Sequence, residues 1–305
     1  MKFGGHETFF LRPGWLTKGL YLVRDAENVV WNSDEASDAM GVGRNMSKSI
    51  GWWLNATGLA HRPARGEAIA LTDLGHSILR DDPFLTHTAS WWFIHLNMTL
   101  GGADDVFSWF FLSNRDGRFT REHLEGNLIR YLEEQGETAP AAKTLHRDVA
   151  VLLQSYARSI PAEVGQDPED NLECPLRRLG LMVFRRDLSD YERRTTQARI
   201  PASLAAAALN LTLPENQEQD RADVPMDFIG PIRRIGRIFG MGAEEAAETV
   251  MRASETLGSD FLSIRHLAGQ RVATVRRMGI AEWHQHYFGS RETTSPRSSS
   301  AWQAA

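Results

Sequence analysis

Cysteine is almost missing: Cys174 is the only thiol in 305 residues. That excludes an intrachain disulfide framework and argues against a cysteine-based zinc site. A reducing cytoplasm is the expected home. Long apolar runs are missing too. No stretch reaches the roughly 18–20 residues that span a bilayer, and Met1-Lys2-Phe3-Gly4-Gly5-His6-Glu7 lacks the apolar core of a secretory signal. There is no basic surplus: 34 Lys and Arg face 39 Asp and Glu, a net charge of −5. A uniformly basic nucleic-acid coat is excluded, while a local basic face is not. Internal repeats, an HExxH zinc motif, a clustered Asp/Glu/Lys nuclease signature, a P-loop and a GxGxxG fingerprint are all absent.

What remains is the composition of a globular chain, 42% hydrophobic and 24% charged, long enough for one large domain or two ordinary ones. Charge is segregated. Leu172–Ile200 carries seven Arg against four acids, and Phe261–Ile280 carries four Arg and no acid, while acids collect in Pro214–Asp227. The bland alternative is scattered, solvated charge. Ile160–Asn171 and Pro214–Pro225 read as linkers, and the polar tail after Gly289 reads as disordered.

The predicted fold is mainly α: a winged helix-turn-helix-like DNA-binding unit over 1–87, a helical middle over 88–160, an Arg-rich helical part over 161–288 and a disordered tail over 289–305. In the middle, Thr120 is an N-cap candidate ahead of Leu124, Leu128, Ile129 and Leu132 at helical spacing, and Lys143–Arg158 repeats the pattern. Ser90–Leu100 and Asp104–Leu112 are short and heavily aromatic. Trp91, Trp92, Phe93, Trp109, Phe110 and Phe111 are expected in the core, with base stacking as the minority alternative. Further on, Ser203–Leu209 reads as a helix capped by Ser203, Gly242–Leu257 as an amphipathic helix, and Ser263–Arg277 as a helix with a basic face.

The first 85 residues carry the most readable pattern. Trp15–Arg24, Ser33–Met40 and Asn45–Thr57 read as helices, with Ser33 as N-cap, Gly41-Val42-Gly43 as a tight turn and Gly58 as a stop. Two helices about a glycine turn form a helix-turn-helix. A basic turn at His61–Gly66, a strand at Ala68–Leu71 and a helix opened by Thr72 supply a wing. Arg44, Asn45 and Lys48 at the start of the second helix suit phosphates and base edges of duplex DNA, and Arg62 and Arg65 suit the wing. The alternative is a structural winged helix that binds protein. His6 beside Glu7, on a glycine-flexed segment followed by Arg12, offers a general acid or base and a transition-state cation. A structural His-Glu pair is the competing reading, because neighbouring side chains on an extended strand point to opposite faces.

Gly4-Gly5-His6-Glu7-Thr8-Phe9 with Leu11-Arg12-Pro13-Gly14-Trp15-Leu16 forms one motif. Gly41-Val42-Gly43-Arg44-Asn45-Met46-Ser47-Lys48-Ser49-Ile50, running on to Trp53-Leu54 and Thr57-Gly58-Leu59, forms a second. Leu71-Thr72-Asp73-Leu74-Gly75 is a third. Together they resemble the SspB family, first catalogued as a domain of unknown function, the DNA-nicking subunits of bacterial Ssp single-strand phosphorothioation systems. Weaker similarity runs through Cys174-Pro175-Leu176 and Leu267-Ala268-Gly269-Gln270-Arg271, to about residue 288.

The resemblance implies a nicking role in anti-phage DNA modification. It also implies sulfur-transfer partners: a cysteine desulfurase (SspA), an ATPase (SspC) and an ATP-pyrophosphatase subunit (SspD). It names no catalytic residues, so those come from the chemistry above. His6 is the candidate general base. Glu7 would orient it or hold a divalent ion, magnesium or manganese, and Arg12 would neutralise developing charge. Double-stranded DNA would dock on Arg44, Asn45, Lys48, Arg62 and Arg65, with Arg271 and Arg276 closing a channel. The alternative function is a non-catalytic DNA-binding adaptor or regulator that recruits the sulfur-transfer subunits. A purely protein-binding scaffold is a third.

Overall fold

Hydroxyl caps start two of the first four helices, at Ser33 and Thr72, where the sequence places them. The computed structural model describes residues 1–26, 28–61, 68–101, 104–161, 173–195, 200–213, 219–227, 231–267 and 269–290. Helix α1 (Trp15–Asp25) turns Trp15, Leu16, Leu20 and Val23 inward. In α2 (Asp34–Met40) the Ser33 hydroxyl accepts the Ala36 N–H, and Asp34 and Glu35 face the positive end of the helix dipole. Gly41, at φ 62°, ends α2 in the left-handed region, and α3 (Arg44–Ala56) follows after two residues. Strands β1 (Ala60–His61) and β2 (Ala70–Leu71) pair antiparallel, and α4 (Asp73–Asp81) starts on a Thr72 cap. A side chain at Gly75 would overlap the Leu59 carbonyl, so only glycine lets α4 lie this close to the chain leaving α3. The expected Arg62 and Arg65, and the basic turn that carries them, lie outside the described residues.

The middle is built on α5 (Thr88–Leu100), buried nearly all round, and α6 (Val106–Leu112), held at its start by an Asp105–Ser108 capping box. The six aromatic residues Trp91, Trp92, Phe93, Trp109, Phe110 and Phe111 are all buried. After β3 (Arg118–Phe119) come α7 (Arg121–Glu134), capped by Thr120, and α8 (Ala142–Tyr156). The helix expected to reach Arg158 stops at Tyr156, and β4 (Ala157–Ile160) runs parallel to β5 (Met182–Arg185). Between them sits a short 3-10 helix, Pro175–Leu179. Strand β6 (Asp190–Arg193) completes a four-stranded sheet in the order β3-β6-β5-β4. The described part of the Arg-rich segment after residue 172 is thus a 3-10 turn followed by a β-hairpin, with no α-helix. Arg185 and Asp190 clasp each other across the β5–β6 hairpin at 2.8 and 2.9 Å, which a helix would not allow.

The C-terminal elements run α9 (Ala202–Leu211), β7 (Arg221–Pro225), α10 (Pro231–Phe239), α11 (Ala243–Leu257), β8 (Leu262–Leu267), β9 (Gln270–Arg276) and α12 (Ile280–Gly289). Ser203 is not the cap of α9: it lies inside the helix, where its hydroxyl meets His286 Nδ1 at 2.8 Å. The acidic stretch read as a linker to Pro225 ends in β7. Ser263–Arg277 is not a helix but the β8–β9 hairpin, in a sheet ordered β7-β9-β8. Ile264, Val272, Thr274 and Val275 are β-branched, and Gly269, at φ 81°, supplies the turn. Four arginines spread through the segment had masked its period of two. Most of Ile160–Asn171, and the tail from 291, lie outside the described residues.

Among the described residues twelve α-helices make the fold mainly helical, and none is long and apolar enough to cross a membrane. One connected hydrophobic core runs from Leu11 to Trp283. Two buried histidines tie its parts. His95 on α5 accepts from the Tyr156 hydroxyl at Nδ1 (2.7 Å) and donates from Nε2 to the Ile238 carbonyl of α10 (3.1 Å). His284 on α12 lies between Ser77 of α4 and Ser90 of α5, at 2.7 and 3.3 Å. Burial pushes both imidazoles down to about 4. Below pH 6.5 the unfolded chain takes up two protons that the folded chain refuses, so these sites cost stability as pH falls from 6.5 towards 4. Urea midpoints should drop across that window by an amount worth about 1.4 kcal/mol per pH unit for each histidine. His284→Gln should roughly halve the slope; an unchanged slope would mean that His284 titrates normally in the fold.

Candidate nucleic-acid interface

Ahead of α1, residues Gly4–Arg12 form a strap across α3. Gly4 (φ 77°), Gly5 (88°), Glu7 (49°) and Thr8 (69°) all lie at positive φ. For Glu7 and Thr8 that costs roughly 1–3 kcal/mol each, so surrounding contacts must hold the strap in place. They do so through Asp148, on α8. One carboxylate oxygen accepts the Gly4 N–H at 2.8 Å and the other lies 3.0 Å from His6 Nε2. The Thr8 N–H points at His6 Nδ1 at 3.1 Å. A backbone N–H only donates, so Nδ1 carries the lone pair and Nε2 carries the proton given to Asp148. The Ser49 hydroxyl of α3 donates to the His6 carbonyl, and Trp53 Nε1 donates to the Phe9 carbonyl. The His6 ring meets Trp52 edge-on, and a side chain on Gly5 would overlap the Trp52 indole.

The expected N-terminal residues therefore separate into a buried set and an exposed set. His6 is 2% exposed and has both ring nitrogens engaged, so in this arrangement no lone pair is left to take a proton from water. Asp148, and not Glu7, orients it. Glu7 points to solvent, 3.8 Å from Lys48 Nζ on α3. Arg12 lies half-buried over the Phe9 and Trp15 rings, 5.5 and 5.6 Å from their centroids.

Along α3, Arg44, Asn45 and Lys48 share the solvent side of the first turns. Arg44 is clasped by Asp34 of α2 through two bonds of 2.7 and 2.8 Å, which hold the Asp34 carboxyl below its usual range and raise Arg44. Arg271 and Arg276 are both on β9, five residues apart, and so point to opposite faces of the sheet. Arg271 reaches Met251 of α11, while Arg276 stacks on Phe261.

Sequence reasoning missed Asp148. Its signal was present: Leu145, Asp148, Val149 and Leu152 form one buried stripe of α8, and a carboxylate in such a stripe demands a partner. Cys174 is fully buried, its thiol pushed up to about 12 by burial, the setting of a structural cysteine. Among the described residues no three His, Cys, Asp or Glu side chains gather as metal ligands. Glu7 alone is one exposed carboxylate, so these residues do not form a ready divalent-ion site.

The chain belongs to a protein family of unknown function (DUF4007), whose profile matches residues 3–285. Its fold is that of SspB. Two solved SspB structures, one of them magnesium-bound, superpose with a TM-score of 0.76 at 23% identity, covering 97% of this chain and 90% of theirs. No curated protein matches the sequence.

Asp148→Ala leaves the His6 Nε2–H and the Gly4 N–H without an acceptor and should cost about 3 kcal/mol in urea unfolding. Asp148→Asn, which keeps an acceptor, should cost less. Equal stability of Asp148→Ala and wild type would show that the strap is held by other contacts. Gly5→Ala should displace Trp52 and change the tryptophan fluorescence of the folded protein; an unaltered spectrum would mean that the strap does not press on that ring.

Proposed function

We propose that this chain binds duplex DNA through a winged helix-turn-helix formed by α2, α3 and the β1–β2 hairpin, and that it nicks one strand in a single-strand phosphorothioation system directed against phage. The observation that carries this reading is the SspB fold over 97% of the chain, together with Arg44, Asn45 and Lys48 on the exposed start of α3. A cysteine desulfurase, an ATPase and an ATP-pyrophosphatase subunit would be its partners in sulfur transfer.

Phosphodiester hydrolysis needs a base for the attacking water and a cation for the phosphoryl oxygens. Of the N-terminal residues, Glu7 is the one with free lone pairs towards solvent. Lys48 beside it, with Arg44, supplies positive charge. His6 is then a positioning residue: through Asp148 it holds the strained strap that presents Glu7. Arg12, stacked on Phe9 and Trp15, fixes the far end of the strap. Magnesium bound to a solved SspB makes a divalent ion a natural requirement to test.

The second reading is a non-catalytic adaptor that carries the sulfur-transfer subunits to DNA. It is favoured by the fully engaged, buried His6 and by the absence of a carboxylate cluster among the described residues.

Purified protein should convert supercoiled plasmid to open circle with magnesium or manganese and not with EDTA. Glu7→Gln should abolish nicking while leaving duplex binding intact. Asn45→Ala/Lys48→Ala should weaken binding and lower its salt dependence, since fewer neutralised phosphates release fewer counterions. Binding without open-circle product under any metal condition would replace the nickase by the adaptor.

A further inference from the structure

The C-terminal elements follow an order the sequence had hidden. Helix α9 is followed by strand β7, then by α10, a three-residue turn at Gly240–Gly242, α11, and the β8–β9 hairpin, with the sheet ordered β7-β9-β8. This is the topology of a winged helix: a helix-turn-helix made by α10 and α11, and a hairpin wing. We propose that this second winged helix engages duplex DNA through its wing, with α11, the helix in the recognition position, turned away from the phosphates. The proposal rests on the reading of the chain as a DNA-binding protein and adds a docking surface remote in sequence from α3.

Charge decides between helix and wing. The solvent side of α11 presents Glu244, Glu248 and Glu255 against Arg252, a face that repels a polyanion. The hairpin is the reverse. From Leu262 to Arg277 there is no acid, and both faces of the ribbon are basic. Arg265 and Arg276 stand on the outer face; His266 and Arg271 stand on the face towards α11. Arg265 is paired with Asp223 at 3.0 Å, whereas Arg271 and Arg276 form no ion pair among the described residues. Leu267, next to the turn, is 61% exposed, an apolar side chain of the kind that groove-binding ribbons press against base steps.

At the base of the wing, the outer face of the sheet holds a hollow of about 560 Å³ lined by Arg221, Asp223, Ser259, Ser263, Arg265 and Thr274. Two lining groups are fixed beforehand. Arg221 donates to the Ser259 and Asp260 carbonyls, which orient the guanidinium without neutralising it. Asp223 accepts from Arg265 and from the Thr274 hydroxyl, which sets Arg265 against the sheet. Guanidinium groups and hydroxyls on a rigid sheet are the donors that backbone phosphates take.

The test is fluorescence anisotropy of a labelled duplex across a salt series, with the full chain. Arg265→Ala/Arg271→Ala should weaken binding and lower the slope of log K against log salt by about 2, at roughly 0.9 for each phosphate no longer neutralised. Arg265→Lys/Arg271→Lys should keep the slope, and thermal melting of each variant separates a weakened interface from a damaged fold. Glu244→Gln/Glu248→Gln should bind as tightly as wild type or more so. A wing double variant with wild-type slope, beside a weakened Asn45→Ala/Lys48→Ala, would overturn the wing while leaving DNA binding in place. Weaker binding by Glu244→Gln/Glu248→Gln would put α11 in the interface and also overturn it. A wild-type chain that fails to bind duplex at low salt would sink the underlying reading and the wing together.

Discussion

The buried carboxylate of Asp148 is the constraint on which the N-terminal face depends. It sits among apolar neighbours on α8 and takes its two donors from a strap about 140 residues earlier in the chain. Such a group is tolerable only when fully hydrogen-bonded. That requirement fixes the His6 tautomer, draws Gly4 and Gly5 across Trp52, and leaves Glu7 and Thr8 in backbone conformations they would not choose alone. An exposed acid beside an exposed lysine on α3 is thereby the outcome of a buried interaction several ångströms away.

The exposed cations on that face are already partnered. Arg44 is matched by Asp34, and Lys48 has Glu7 beside it. Phosphates arriving there must compete with carboxylates for the same donors, whereas Arg271 and Arg276 on the C-terminal ribbon have no such competitors among the described residues. Exposed pairs of this sort are screened by solvent and bind their partners weakly, so the competition is winnable, but it makes the two faces unequal in what they offer an anion. With a net charge of −5, the whole chain leaves attraction to local surfaces of this kind.

Much of the helical order was legible because its signals are local. Ser33, Thr72 and Thr120 cap the helices they precede, the aromatic segments are buried as expected, and Gly41 and Gly58 stop their helices in the left-handed region. Apart from β2, which falls within the strand expected at Ala68–Leu71, the strands were not legible. In the β8–β9 hairpin, arginines occupy positions on both faces, so neither a period of two nor one of 3.6 stands out, and the decision falls to Gly269 and to pairing with β7. Likewise β4 finds its parallel partner only after the 3-10 helix, a pairing no local pattern announces. At the strap, His6 and Glu7 were legible as chemically notable, but their separate fates were not. The side chain that parts them, Asp148, lies too far away in sequence for spacing to link it to either.

Helix α12 closes the molecule by laying the end of the described chain on α4 near its start, with His284 lodged between Ser77 and Ser90. During synthesis the N-terminal helices therefore leave the ribosome long before the helix that covers them. Until residues 280–289 emerge, the side of α4 that α12 covers lacks its main partner. The nascent chain must hold that surface soluble, or hand it to a chaperone, while the residues between α4 and α12 are made.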